Sequence, residues 1–576
     1  MFLYLLSATY QVISTGDNNS PGTFRWAIDQ ANSSPGPDTI TFNIPDTDPG
    51  YVCSSGNCWW RITLTSKLPI ITDPVLIDGW SQTANRGNTN LCHPFYRAAP
   101  DSAGWTGVQN SYPRTVGTLG ATLPYFPCPE VEVDLNGVSY SYGIVQIDAS
   151  DVLVKGMAFF NGGGSSGSQV IRVRPGSYNV TLRELFVGLP ADGSEPADST
   201  RSDCVFVDDG TSGKLSHLYV GFCGSHGVKF GNTSATTSSG WVVDSSEIFA
   251  SAWYFDQGDN VNVYFRNVTL RHNLIHSSNN PGGSDIRVFG AGIEVRYDAD
   301  TTVITENTVY GNGTKGVFVD GGSDYVEISY NRIYGNGWNL PGPGVGVGEK
   351  RGISTNVLIT RNYFSDNGGL AIDLDSSGAS GSAGDGVTCN DGLRQTNNPN
   401  VLIDYPYLDS ARLYVSSGDT TLLVWGRAYT GADSVEVYVV STLDSENCSG
   451  EVNGHGEGGT FLTAVPVVLN SFNVSLKVDS LGPDWGSGSL YLTALSRDNL
   501  WNTSEFSENL PVPLPVGSSG ELVVHESGAI DYTYGEVEVY DPSGRLVYRG
   551  DLKGFRGSRG VYFVVSGGKV VRKIVR

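Results

Sequence analysis

Two consecutive stretches of this chain align without a gap, GIEVRYDADTTVITENTVYGNG from Gly292 and GVFVDGGSDYVEISYNRIYGNG from Gly316. Gly292 and Gly316 stand 24 positions apart, as do Asn307 and Asn331. Each copy reads as a short alternating strand, a polar turn, a second alternating strand, then Asn, an aliphatic–Tyr pair and Gly-Asn-Gly. Strands this short cannot bury a face alone, so each copy must stack on the next. A unit of this size with two strands and no helix suits one coil of a parallel β-solenoid. An Asn fixed at the turn would bond the turn above it and build an amide ladder along the stack. Looser copies, NVTLRHNLIHSSN and NVLITRNYFSDNG, extend the expected ladder to Asn273, Asn307, Asn331 and Asn362.

The 576 residues suffice for one long solenoid with attached domains. Gly at 74, Met at 2 and aromatics at 11% favour tight turns and strands over helices. A formal charge of -23 argues against nucleic acid and anionic membrane surfaces as partners, and suits solubility outside the cell. No stretch approaches the ~18 apolar residues of a membrane span. The eight cysteines, Cys53, Cys58, Cys92, Cys128, Cys204, Cys223, Cys389 and Cys448, form no CxxC pair and have no His at metal-ligand spacing. An even count in a Gly-rich β protein reads as disulfides in an oxidising compartment. Cys53–Cys58 and Cys204–Cys223 are the expected local pairs. Nine Asn-x-Ser/Thr sequons, Asn179, Asn267 and Asn312 among them, read as by-products of composition. Met1 to Ala8 reads as the tail of a signal peptide or as a first strand.

In chain order, TYQVI is a strand, and Thr23 to Asn32 is a short amphipathic helix with Phe24, Ala27, Ile28 and Ala31 on one face. A helix laid across the first coil would cover its open edge. This segment, STGDNNSPGTFRWAIDQANSSPGPDTITF, resembles the N-terminal cap of bacterial surface proteins with right-handed parallel β-helix repeats, the pectate-lyase-like fold. Residues 81–130 lack periodicity and read as a long excursion that a disulfide could pin. The coils run regularly from Val131 to GGLAIDLD, and the loop from Ser376 to Asn400 resembles the exit of the same family. From Leu402 to Pro513 longer strands resemble an immunoglobulin-like sandwich. There GHGEGGTFL and DNLWNTSEFS resemble the module that follows such helices, and this resemblance implies that Glu457 and Glu505 shape turns. After the linker PVPLPVGSSG, residues 520–576 resemble the C-terminal sorting domain of the type IX export system. Tyr540, Gly544, Arg545, Gly560, Val561, Tyr562, Lys569, Arg572, Lys573 and Arg576 carry that match.

The expected layout is therefore all-β. A signal remnant and cap occupy 1–50, and a right-handed parallel β-helix occupies 51–400 with an insertion at 81–130. An immunoglobulin-like β-sandwich follows at 401–514, then a small C-terminal sorting-type β-sandwich at 520–576. In the repeats Ile293, Val295, Val317 and Val319 face inward, with Leu370 and Ile372 continuing that stack. Arg296, Asp320 and Asp373 then form an exposed outer column with Glu294 beside it. β-Helix polysaccharide lyases use such a face, but a ladder of opposite charges explains it equally without chemistry. No catalytic residue is assigned; Glu294, Arg296, Asp320 and Asp373 are the candidates should the protein be an enzyme. Asp373, Asp375, Ser377 and Asp385 have the opening spacing of a calcium loop, which makes calcium the one cofactor suggested. His217, His226, His272 and His276 read as turn or surface residues.

The leading functional reading is non-enzymatic: a secreted or surface-displayed structural or adhesive protein that binds a polysaccharide or cell-surface glycan along the solenoid flank. The alternatives are an extracellular polysaccharide lyase or glycoside hydrolase, and a self-associating filament subunit. The expected partners are a glycan, the secretion machinery through the C-terminal domain and further copies of the chain.

Overall fold

In a computed structural model, the chain is described over residues 7–92, 114–140, 142–163, 168–197, 200–232, 240–252, 258–278, 290–348, 352–376, 384–416, 419–429, 431–477, 490–513, 537–540, 545–550, 561–566 and 569–575. It divides into two compact units, Met1–Val415 with Asp419–Pro515, and Ser416–Gly418 with Val516–Arg576.

The first unit is dominated by three sheets, of 11, 11 and 9 strands, whose pairings are parallel except for the hairpin Tyr51–Ser54/Asn57–Thr63. Successive coils contribute one strand to each sheet. In the third sheet Ile293, Val317, Val345 and Ile372 stand in register, as do Val295, Val319, Val347 and Leu374. All eight are buried in one continuous core with the inward residues of the other sheets. Leu370 and Ile372 therefore do not extend the rows of Ile293 and Val295 as expected; Ile372 and Leu374 do. The last strand pairs two residues further along than expected, and a coil that the sequence conceals also intervenes: Val345–Gly348, in a Pro- and Gly-rich stretch, forms a strand between Val317–Val319 and Ile372–Asp375.

The corner between the first and second sheets turns on one residue in the left-handed region. Gly156, Glu184, His217, Ser245, His272, Glu306, Tyr330 and Arg361 hold it in successive coils, with φ between 53° and 69°. Outside glycine this conformation costs about 1 kcal/mol or more. After His272, Glu306, Tyr330 and Arg361 the residue that follows is Asn, and its amide satisfies the corner's polar groups. Asn273 donates its backbone N–H and side-chain amide to Asn307 Oδ1 at 2.9 Å each, Asn307 does the same to Asn331 and Asn331 to Asn362, at 2.8–3.0 Å. Each Nδ2 also reaches a carbonyl of the preceding coil, such as Ile304 O from Asn331 at 2.8 Å. Ser246 continues the ladder by donating to Asn273 Oδ1. A second ladder runs through Asn260, the two Gly-Asn-Gly residues Asn312 and Asn336, and Asn367, linking Nδ2 to Oδ1 at 2.8–2.9 Å.

The helix Phe24–Ser33 covers the first coil, burying Phe24, Ala27, Ile28 and Ala31. Its N-cap Thr23 accepts from Trp26 N–H at 3.3 Å. Met1 to Leu6 lie outside the described residues, and the first strand is Thr9–Val12. The excursion contains a short helix, Trp80–Arg86, and a hairpin, Arg114–Val116/Ala121–Leu123. The hairpin lies on the second sheet: Gly117 N–H donates to Thr308 Oγ1 at 3.1 Å and Arg114 Nη1 to Glu247 Oε1 at 2.7 Å. Gly117 has φ +68°, and a Cβ there would meet the Glu306 backbone at 2.7 Å, so only glycine fits this approach. All eight cysteines pair, as Cys53–Cys58, Cys92–Cys128 at the base of the excursion, Cys204–Cys223, and Cys389–Cys448 between the exit loop and the following domain.

After the last coil, Tyr407–Ser416, Asp419–Arg427 and Ser471–Lys477 form a three-stranded sheet, and Glu457–Pro466, Ser434–Thr442, Leu490–Arg497 and Leu510–Val512 a four-stranded one. They share a core that includes Leu422, Val424, Val437, Phe472 and Leu492. Glu457 and Glu505 do not merely shape turns. They cap the open edges of the last coil. Glu457 accepts from Asn367 N–H and Nδ2, and Glu505 from Leu374 and Thr388 N–H at 2.9 and 2.8 Å. Glu436 and Tyr438 accept from Arg361 N–H, and Thr503 Oγ1 from Ile359 N–H. All three sheet edges therefore end on side chains of this domain. The second unit shows, among its described residues, one antiparallel sheet ordered Leu546–Gly550, Val537–Tyr540, Val561–Ser566, Lys569–Val575. Gly544, Gly560 and Arg576 lie outside the described residues.

Two outcomes follow. Asn331→Ala removes the acceptor of Asn307 N–H inside the stack, at ~1–3 kcal/mol per orphaned group. A melting curve should show a clear drop for Asn331→Ala and almost none for Asn339→Ala, which is exposed and outside the ladder. Burial pushes Glu457 up to about 8 and Glu505 to about 7, from an ordinary 4.5. The folded state thus holds protons that the unfolded chain releases, and the cap's stability, full below pH 4.5, is lost as pH rises through 7 to 8. Between pH 7 and 9, above the titration of unfolded histidines, the melting midpoint should fall, and Glu457→Gln should flatten that fall.

Candidate functional site

Each strand of the third sheet has an h-x-h pattern whose central residue must point outward. In register along the stack these are Gln146, Arg172, Phe206, Lys229, Asn262, Glu294, Phe318, Gly346 and Asp373. The residue just after each strand adds a second outward row that includes Arg174, Asp208, Tyr264, Arg296, Asp320 and, at the end, Asp375. The residue two before each strand adds a third, with Asp203, His226, Asp259 and Lys315. The face is thus three polar rows one coil apart, and it changes character along its length.

At its early end the face is part-open and aromatic–cationic. Tyr142 is 56% exposed. The Arg172 guanidinium lies 5.3 Å from its ring centroid and 4.8 Å from that of Phe206, while Asp208 holds Arg172 through two 2.7 Å bonds. Arg174 stands 5.9 Å from the Tyr142 ring and bonds Gln146 Oε1 at 3.0 Å. Lys229 Nζ lies 5.8 Å from the Phe206 ring and 5.2 Å from that of Tyr264.

Beyond Lys229 the face closes into a buried network. His226 Nδ1 is 2.8 Å from Asp203 Oδ1, and His226 Nε2 is 3.9 Å from Asp259 Oδ2 and has no hydrogen-bond partner. Asp259 hydrogen-bonds Glu294. Asn262 Nδ2 donates to Asp259 at 3.0 Å and to Glu294 at 2.6 Å. Arg296 Nη1 is 2.8 Å from Glu294 Oε1, and Nη2 donates to Tyr264 Oη. Burial works against the charge on Asp203, but the His226 bond and the Lys229 charge outweigh it and hold the carboxyl below its ordinary range. Burial and Lys229 keep His226 neutral against the pull of Asp203. Burial raises the Asp259 carboxyl, against the hydrogen bond to Glu294 and the Arg296 charge, which both favour its charged form.

The four expected outer residues all lie on this face, but none is exposed: Glu294 and Asp320 are 0%, Asp373 1% and Arg296 2% accessible. They form no single column either, because the last strand pairs two residues further along than expected, which places Asp373 in the Glu294 row and Asp375 in the Arg296–Asp320 row. Of the expected calcium set, Asp375 and Asp385 both lie near enough to Asp373 to repel it electrostatically. Asp385 is exposed and bonds Ser376 N–H and Oγ at 3.1 Å, Asp373 Oδ2 meets Gly386 N–H at 3.4 Å, and Ser377 lies outside the described residues. Among the described residues no three His, Cys, Asp or Glu side chains are grouped to hold a metal ion. Burial, then repulsion from Glu505, Asp385 and Asp375, raises Asp373 well above a normal carboxyl. His226 and His276 are buried rather than surface residues. His276 stacks between Phe249 at 5.5 Å and Tyr310 at 4.8 Å, with Nε2 3.0 Å from Glu247. Sequence reasoning missed Asp203, His226, Asp259 and Asn262. Aligning the h-x-h triplets, CVFVD, GVKFG, NVNVY and GIEVR, would have set them in adjacent rows.

The model of the right handed beta helix region matches residues 203–401. Solved structures with a similar fold include the enzymatically active domain of tailspike protein 2 from bacteriophage CBA120, at 10% identity and TM-score 0.38 over 84% of this chain and 73% of that one. The A-module of a mannuronan C-5 epimerase from Azotobacter vinelandii matches at 12% identity and TM-score 0.35, over 64% and 91%. A pectate lyase matches at 16% identity and TM-score 0.33, over 69% and 87%. The parallel sheets and the matched family model together make residues 203–401 part of a right-handed parallel β-helix.

Proposed function

We propose that this is an extracellular glycan-binding β-helix protein that holds an anionic polysaccharide along the early part of its third sheet. The observation that carries this reading is the strip Tyr142–Arg172–Arg174–Phe206–Lys229. It gathers three cations and the rings they lie over on a chain whose net charge is -23. Aromatic faces suit the C–H faces of sugar rings, and a guanidinium fixed between them offers planar donors to a carboxylate or sulfate. Four disulfides and the absence, among the described residues, of a helix long and apolar enough to cross a membrane fit secretion.

Retention on immobilised polygalacturonate or alginate, with dextran as the neutral control, tests the reading. Binding should favour the acidic polymers and weaken with salt. Tyr142→Ala and Arg174→Ala, at part-open positions, should each weaken it about tenfold, or about 1.4 kcal/mol. Equal retention on dextran, or variants that bind as the parent does, would end it.

The layout proposed with this function keeps the sandwich at 401–514 as immunoglobulin-like and residues 520–576 as an export address. Deleting 520–576 should then change the cell fraction in which the protein is found and leave the melting curve of the remainder unchanged. Loss of stability without a change of address would reverse that assignment.

A further inference from the structure

One end of the domain that follows the last coil carries two turns that flank Asp433. The Asp433 carbonyl accepts from Val467 N–H at 2.9 Å, and its Oδ2 accepts from Asn499 N–H at 2.6 Å. The first turn joins Glu457–Pro466 to Ser471–Lys477 and is closed by two backbone bonds between Val468 and Ser471, at 2.9 and 3.1 Å. Its central residues, Leu469 and Asn470, have φ of 52° and 59°. A hairpin turn of this kind suits Asn and Gly, and a leucine in it is out of place on backbone grounds. Solvation disfavours it too, since Leu469 is 94% and Val468 63% exposed. The second turn, residues 498–502, folds over Asp498, whose Oδ1 accepts from Leu500 and Asn502 N–H at 2.9 Å each. Trp501 holds φ 75° there and is 40% exposed, beside Leu500 at 57%. A strained backbone and an exposed large apolar side chain thus coincide at one residue, twice, at one end of one domain. Packing within the chain offsets neither cost, and such a combination points to a surface that meets something else.

We propose that this end of the domain docks on a zwitterionic phospholipid surface, with Leu469 and Trp501 as the inserted side chains. The inference is independent of the glycan strip. The shape selects the partner. The apolar residues stand on two separate turns and line no groove. Two short turns also fall well short of the roughly 20–30 residues, about 800 Å², that each side gives to a stable protein interface, a second copy of this chain included. A bilayer needs no matching pocket. It takes up separate side chains one by one, each in proportion to the apolar area it buries. The surroundings of the Leu469 turn grade from apolar to polar as a headgroup layer does. Tyr407 and Tyr429 stand with ring centroids 6.2 Å apart, and Arg427 lies 5.4 Å from the Tyr407 centroid and donates to Tyr429 Oη at 3.2 Å. Arg427 pairs with Ser471 across the strands, and Ala428 N–H donates to Asn470 O at 3.2 Å, so this group adjoins the turn. Rings with one polar edge and a long cationic side chain suit the depth of lipid carbonyls and phosphates. Charge decides among lipids. Asp409 pairs with Arg427 at 2.7 Å, Asp433 and Asp498 hold the two turns, and the chain carries -23 overall, so an anionic bilayer is repelled and a zwitterionic one is not.

The test floats the full-length protein through a density gradient with vesicles of phosphatidylcholine, and separately with vesicles that also contain phosphatidylserine. Protein should rise with phosphatidylcholine, rise less once phosphatidylserine is added, and hold to phosphatidylcholine with little dependence on salt. Leu469→Asn puts at the turn a residue that suits its φ. It should lower partition about tenfold and leave the melting midpoint equal or higher, because the strain goes with the side chain. A leucine that served only the fold would give the reverse, a lower midpoint with unchanged partition. Trp501→Gly should lower partition as well, with cooperative melting showing that the variant is folded. Parent protein that does not float with phosphatidylcholine overturns the inference. Folded variants that float as the parent does, or flotation that requires phosphatidylserine, overturn it too. A parent that sediments as a dimer while Leu469→Asn sediments as a monomer assigns these turns to a second copy and overturns it as well.

Discussion

The structure depends on one hydrogen-bonded corner, made again in every coil. Between the first and second sheets the chain reverses direction over a single residue with φ near +55°, a position held by Glu184, His217, Ser245, His272, Glu306, Tyr330 and Arg361. None of these side chains prefers that conformation. In the later coils what holds it is the next residue, Asn273, Asn307, Asn331 or Asn362, whose amide takes the N–H of the coil before and gives its own protons to carbonyls that the sharp turn leaves behind. A lone Asn in such a corner would leave one side of its amide unmatched. Stacked on copies of itself it satisfies every neighbour, so the corner is stable only as a column. Repetition is therefore a physical requirement of this turn, and the spacing of the turn Asn is its trace in the sequence.

A stack of this kind carries its weakness at its ends, where a coil has no neighbour and its N–H and C=O groups are open to any other strand. The first end is covered by the amphipathic helix Phe24–Ser33, which buries Phe24 against Phe42 with ring centroids 5.5 Å apart. At the other end the side chains of the following domain substitute for a missing coil. Glu436, Glu457 and Glu505 each accept from a different edge, and the second Asn ladder ends directly on Glu457 at 2.6 Å. A filament built by end-to-end stacking of coils would have to displace these contacts. The capped ends thus favour a protein that offers its flank rather than its ends.

The parts of this design that repeat were legible in the sequence, and the parts that repeat imperfectly were not. Asn273, Asn307, Asn331 and Asn362 sit where the alignment puts them, and the apolar stripe of the capping helix is the one its 3.6-residue period implies. The coil at Val345–Gly348 was hidden because its outward positions are Gly346 and Gly348. Their missing side chains make room for the Phe318 ring, which a Cβ on either would meet at 3.0–3.2 Å. Exposure was misjudged for a different reason: alternation tells which way Glu294 and Arg296 point, but not what the rest of the chain lays over them. Glu457 and Glu505 lie in conspicuous motifs, yet their partners are 90 to 131 residues away, beyond the reach of local pattern.

Parallel coils also dictate the chemistry of whatever they carry outward. Strands in a ladder are about 4.8 Å apart, so residues at equivalent positions are held close whether or not they attract. Acidic residues brought together in this way, in a face that excludes water, cannot all stay ionised. Each must find a cation, as Glu294 finds Arg296, or be pushed toward its protonated form, the direction in which burial moves Asp259 and Asp373. The same stacking that fixes the fold thereby holds His226 between Asp203, at 2.8 Å from Nδ1, and Asp259, at 3.9 Å from Nε2, at the end of a strip of rings and cations. A solenoid need not evolve a pocket to do this. It needs only Asp, His and Asp in one outward row of three consecutive coils, a row that Asp203, His226 and Asp259 supply.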